Sequence, residues 1–158
     1  MENFDFIEMK IPAKTEYIGV VRLSLSGVAH RMGFSYEDIE DLKVAVSEAV
    51  TNASIHAYDE DERGEVNVAF KIYEDRLEVI VADKGSSFDI EKVRQHVVLY
   101  EKSNSIEEIN EGGFGLFLIE ALMDEVEIQE DDGIKITMTK FLYETGVGLD
   151  GDQISTTP

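Results

Sequence analysis

Three observations predict an α/β fold built as one domain. Two stretches carry apolar residues at 3-4-3-4 spacing, the period of helices with one buried face. Two pairs of short stretches alternate apolar and polar residues on either side of tight turns, the pattern of antiparallel hairpins. The chain has 158 residues, 43% hydrophobic and 30% charged, enough for one full core of a soluble protein and short for two.

The elements follow in order. Phe6, Met9 and Ile11 around Glu8 and Lys10 make a short, imperfectly alternating first strand, ended by Pro12. Thr15 reads as the N-cap of a first helix in which Ile18, Val21, Leu25, Val28 and Met32 form the apolar stripe, and Gly33 stands in the C-cap place. Arg22 lies beside that stripe; by pattern alone it is a surface arginine with its stem on apolar ground. Ser35 with Asp38 three residues on, a variant of the capping box, opens a second helix whose core face is Ile39, Leu42, Val46, Ala49 and Ala53, ending near His56 to Tyr58.

After the acidic loop Asp59 to Gly64, Val66, Val68, Phe70 and Ile72 alternate with Asn67, Ala69 and Lys71, which predicts a half-buried strand. Glu74-Asp75 turns the chain into Leu77 to Ala82, apolar enough to be central. Residues Ile90 to Glu111 are weakly patterned, and a long segment of that kind inside a domain is usually functional or mobile. Leu116, Ile119, Leu122 and Met123 outline a short helix. Val126 and Ile128 begin a strand, Asp131-Asp132-Gly133 turns it, and Ile134, Ile136 and Met138 alternate in the last one. From Thr145 the core pattern stops, so the expected domain is 1–143 with a disordered tail, 144–158.

Composition excludes several classes of function. No run approaches the ~20 apolar residues of a membrane span, and the acidic start is unlike a signal peptide. The absence of cysteine rules out disulfides and thiolate metal sites, and fits the cytoplasm. With His30, His56 and His96 the only histidines, and no pair at ligand spacing, a zinc site is disfavoured. A net charge of -20 argues against binding a nucleic-acid backbone and favours solubility and basic partner surfaces.

The chemistry-bearing residues lie on the second helix and downstream. Glu48, Asn52 and His56 are spaced i, i+4, i+8, so they share one stripe, flanked by the small Ala45, Ala49 and Ala53. Asp83-x-Gly85 follows the second hairpin strand directly, and Gly112-Gly113-x-Gly115-Leu116 opens the short helix. Taken singly, each is a weak motif. In this order and on these elements they resemble the nucleotide-binding boxes of the GHKL superfamily, the gyrase, histidine kinase and MutL type ATPases. The resemblance spans Ile39 to Lys140.

That resemblance implies the Bergerat fold, an α/β two-layer sandwich with a mixed, mostly antiparallel sheet and helices on one face. It implies ATP and Mg²⁺ as cofactors, and the side chains suit those roles. An ionised Asp83 only accepts hydrogen bonds, as an adenine amine requires, and Gly85 lets backbone approach the base. Gly112, Gly113 and Gly115, with Leu116, can turn backbone N–H groups toward phosphates at a helix start. Asn52 offers a neutral oxygen to Mg²⁺, and Glu48, one turn earlier, is placed as general base. His56 fits a supporting role. Two departures stand out. Ser87 replaces the second glycine of the D-x-G-x-G form, and Lys135, with Thr137 two residues on, occupies the place where relatives often carry a nucleotide-contacting threonine.

A stand-alone module of this size is similar to the bacterial anti-sigma factor serine kinases. Tyr17 to Leu23, Glu40 to Ala49, Glu74 to Asp83 and Glu111 to Leu116 look like the stress-response, sigma-B branch of that family. The resemblance implies a homodimer that sequesters a sigma-B type sigma factor and phosphorylates a serine on an anti-anti-sigma STAS-domain protein. Arg22 matches a partner-binding position. Two other readings fit the same boxes: a non-catalytic, ATP-dependent sigma-binding scaffold, and a histidine-kinase catalytic domain cut from a longer chain. Intact Glu48 and Asn52 disfavour the first, because a scaffold needs no base. The Met1 start and the lack of an upstream helical hairpin disfavour the second.

Overall fold

A computed structural model describes residues 2–60, 64–83, 113–130 and 133–143. Five strands and three α-helices are described: β1 (Asp5–Pro12), α1 (Ile18–Met32), α2 (Tyr36–Glu60), β2 (Glu65–Ile72), β3 (Arg76–Ala82), α3 (Gly113–Leu122), β4 (Glu125–Glu130) and β5 (Ile134–Phe141). The sheet order is β1-β2-β3-β5-β4. All four ladders among the described residues are antiparallel, a simpler sheet than the mixed one anticipated.

Helix ends follow the local chemistry, with one correction. Gly33 takes φ 98°, and the Gly33 and Phe34 N–H groups donate back to carbonyls of α1, Phe34 to Ala29 at 3.2 Å. This is a Schellman closure, which a left-handed residue permits. The Asp38 N–H donates to Ser35 Oγ at 3.1 Å, so the expected cap of α2 is made. Thr15, however, caps nothing. It begins a short 3₁₀ turn, Thr15–Tyr17, with no side-chain cap, and α1 starts at Ile18. Backbone bonds satisfy this entry instead: the Ala13 N–H to Gly64 C=O at 2.9 Å and the Tyr17 N–H to Lys14 C=O at 3.1 Å. Helix α2 also runs to Glu60, past the expected end.

Register sorts the strands into two faces. Met9, Val68, Val81, Ile136 and Ile128 form one cross-strand row on the helix side. Val21, Leu25, Leu42, Val46, Ala49 and Val50 meet that side and are fully buried, as are Phe70, Leu77, Val79, Met138 and Ile119. Each fully buried Val, Leu, Ile, Phe or Met side chain among them contributes about 1.5–3 kcal/mol. Phe6 sits on the opposite face, in the row Phe6, Lys71, Glu78, Thr139, Glu125, which explains the imperfect alternation of β1.

The opposite face departs from the half-buried strand expected of β2. Asn67 and Ala69 are fully buried and Lys71 nearly so. Alternation reports polarity, whereas long charged side chains bury their stems and pair their ends. Lys71 Nζ lies 3.2 Å from Glu78 Oε1 and over the rings of Phe4 and Tyr73. Arg76 stacks 3.7 Å from the Tyr73 ring centroid, holds both carboxylate oxygens of Glu2 and donates from Nε to Glu78. The bond to Glu2, then those to Glu78, push the Arg76 pKa up, and the same bond lowers that of Glu2.

Glu127 on β4 carries the opposite shift. Burial first, then the charges of Glu78 and Glu125, raise its pKa above the ordinary carboxylate value, with Lys71 opposing. The native state therefore holds this proton more tightly than the unfolded chain. Its contribution to stability is present below the unfolded pKa and lost as pH rises through the folded one. Relative to the parent, Glu127→Gln is expected to gain melting temperature as pH is raised from about 4 to about 7. A constant difference across that range would show that the Glu127 charge does not strain this face.

Candidate functional site

The site is built where the start of α3 comes against α2. At Gly115 an added Cβ would lie 3.0 Å from Glu48 Oε1, 3.3 Å from Asn52 Nδ2 and 4.0 Å from Asn52 Oδ1. The carboxylate and the carboxamide, one helical turn apart, thus both lie against the bare backbone of the third residue of α3. Ala45, Ala49 and Ala53 beside them are buried, and such small side chains allow helices to close up. Glu48 and Asn52 themselves are partly exposed, so this edge of α2 remains open to a ligand.

Asp83 follows the end of β3, and its side chain continues the helix-facing row of Val79 and Val81. It is buried, its Oδ1 accepts the Ile134 N–H at 3.1 Å, and its own N–H donates to the Ile134 carbonyl at 3.3 Å. The neighbouring strand therefore fixes the carboxylate. Lys135 pairs with Ala82 and Thr137 with Ile80, which puts both on the face away from α2 and α3. The residue of β5 beside Asp83 is Ile134.

Gly113 starts α3, so backbone N–H groups of the glycine box lie in the first turn of a helix. Leu116 is buried in the core and anchors that turn. Gly85, Ser87, Gly112 and the segment Ile90 to Glu111 lie outside the described residues, as does the tail from 144. His56 lies on α2, one turn after Asn52. Arg22 is exposed on α1, next to Leu23, which is 78% exposed. No group of three His, Cys, Asp or Glu suited to a metal is found among the described residues. No helix among them is long and apolar enough to cross a membrane.

One residue of the α2–α3 assembly escaped the motif reading. Lys140 stands in phase with Ile134, Ile136 and Met138, on the buried face of β5, and is 8% exposed. A lysine in the apolar phase of a strand was the available signal. Its Nζ donates to the Leu122 carbonyl at 2.7 Å, at the last residue of α3.

Residues 11–140 match the family model of the histidine kinase-like ATPase domain. The chain is 60% identical over 157 residues to the serine-protein kinase RsbW of Oceanobacillus iheyensis, covering 99% of each. The chain belongs to the RsbW family of serine-protein kinases. The Bacillus subtilis RsbW is 56% identical over 140 residues, 89% of this chain and 88% of its own length. A solved Mycobacterium tuberculosis structure of RsbU and RsbW domains superposes with a TM-score of 0.60 at 23% identity. It covers 87% of this chain and 32% of that one, and so bears on the fold alone. The histidine kinase-like ATPase domain agrees with ATP as the nucleotide.

Proposed function

We propose that this chain is an anti-sigma factor of the sigma-B type. In this reading it sequesters a stress-response sigma factor and uses Mg-ATP to phosphorylate a serine of its anti-anti-sigma antagonist, a STAS-domain protein. The observation that carries the kinase reading is the convergence of Glu48 and Asn52 on Gly115. A base, an amide ligand and a side-chain-free helix start are what transfer of a terminal phosphoryl group asks of a protein, since its catalysis is mostly positioning and charge stabilisation.

The residues divide the work. Asp83, its carboxylate oriented by Ile134, accepts from the adenine amine. Backbone N–H groups around Gly113 and Gly115 hold phosphate oxygens. Asn52 would hold Mg²⁺ through its side-chain oxygen, and that ion would supply charge neutralisation on the phosphates of ATP. Glu48 takes the proton from the attacking serine hydroxyl. Exposed Arg22, with Leu23 beside it, serves as part of the partner surface, in a homodimer kept in the cytoplasm. Intact Glu48 favours this kinase over a passive scaffold.

The test is phosphoryl transfer from γ-labelled ATP with Mg²⁺ to a panel of STAS-domain proteins, with gel filtration against the sigma factor in parallel. Label on a partner serine is the expected result; ATP binding with a stable complex but no label across the panel would favour the scaffold. Asp83→Asn retains an acceptor for Ile134 but loses its charge. It is expected to weaken ATP binding about tenfold or more in calorimetry, the loss of a charge-assisted hydrogen bond. Unchanged affinity would remove Asp83 from the adenine contact.

A further inference from the structure

Lys140 joins three elements at the end of the α2–α3 pair opposite to Gly115. Besides the bond from its Nζ to the Leu122 carbonyl, it lies 3.9 Å from Asp38 Oδ1 and 3.9 Å from Asp41 Oδ2, both in the N-terminal part of α2. Gly115 at the start of α3 meets Glu48 and Asn52, further along α2. The two contacts make α2 and α3 antiparallel neighbours, in direct approach at Gly115 and bridged by Lys140 at the other end of α3. From Gly115 to Leu122 is seven residues, about 10 Å of helix.

We infer that Lys140 is a positioning residue for phosphoryl transfer: it locks the far end of α3 to α2 and so sets how closely Gly115 approaches Glu48 and Asn52. The physical reason lies in the charges. The last carbonyls of a helix lack intrahelical donors and carry partial negative charge, and an ammonium group is the natural partner. Asp38 and Asp41 face that ammonium from the other helix, each at 3.9 Å. Asp38 is itself tied into the α2 cap through Ser35, so the link reaches a rigid turn. At 8% exposure, Lys140 is shielded from the solvent screening that weakens surface pairs. Gly115 leaves no room for a side chain between it and Glu48 and Asn52, and misplacement of reacting groups by about 1 Å costs up to 10²-fold in rate.

This inference rests on the kinase reading, and the experiment separates the two. Lys140→Met keeps the stem and removes the charge; Lys140→Arg keeps a cation. Met32→Ala, at the end of α1, serves as a control for lost packing, compared at a temperature where both variants are equally folded. The expected result is that Lys140→Met lowers kcat for serine transfer by about 10-fold to 100-fold, with a smaller change in KM for the partner. Lys140→Arg should recover most of the rate, and Met32→Ala should retain it. Hydrogen exchange without nucleotide should show faster exchange of the α3 amides in Lys140→Met. Transfer within about twofold of the parent, or a loss matched by Met32→Ala, would overturn the positioning role. If the parent transfers no phosphoryl group while the α3 amides still respond to Lys140→Met, the kinase reading fails and the helix coupling alone stands.

Discussion

Glu48→Gln is expected to abolish serine phosphorylation while leaving ATP bound. Glutamine has the shape of glutamate, so its fit against the bare backbone of Gly115 keeps its dimensions and α3 its seat. What disappears is the ability to accept a proton, and general base catalysis contributes about 10²–10⁴-fold. The fall should therefore appear in kcat, with the dissociation constant for ATP changed by less than about threefold. Single-turnover transfer from labelled ATP, beside calorimetric titration of ATP, separates the two quantities. A variant that transfers at the parental rate would show that the serine proton leaves by another route. One that loses ATP as well would make Glu48 a binding residue instead.

Gly115→Ala is expected to separate stability from activity in the opposite way to a core mutation. Alanine favours a helix over glycine by up to about 1 kcal/mol, so the local propensity of α3 rises. The new methyl group, however, would lie 3.0 Å from Glu48 Oε1 and 3.3 Å from Asn52 Nδ2, and must displace one or both. Gly19 and Gly27 on α1, by contrast, have nothing within 4 Å of such a methyl group. Melting temperature should stay near the parental value, while ATP affinity and transfer both fall, transfer by about 10²-fold. Parental transfer in Gly115→Ala would show that the two side chains yield at no cost, and that close approach at this position is not what the chemistry needs.

The three boxes were legible because each depends on local residue chemistry. A carboxylate and an amide at i, i+4 must share a helix stripe whatever surrounds them, and Asp83 directly after an apolar strand must stand at its end. The caps divide on the same principle. Ser35 and Gly33 act through neighbours within a few residues and behave as their sequence suggests. Thr15 does not, because the bond of Ala13 to the distant Gly64 carbonyl helps set the chain's course there.

What the sequence by itself determined, then, was the set of elements, the order of the boxes and the family they belong to. These rest on periodicity and short spacing, which chain geometry enforces locally. Tertiary structure alone decided the rest. Strand register turned Lys135 and Thr137 away from the helices and put Ile134 beside Asp83. Pairing of Lys71 and Arg76 with Glu78 and Glu2 helped close a face that polarity suggested was open. The approach of two helices separated by about a third of the chain brought Gly115 onto Glu48 and Asn52, with Lys140 at the other end. Contacts of that kind depend on which surfaces meet across long loops, and no local pattern encodes the meeting.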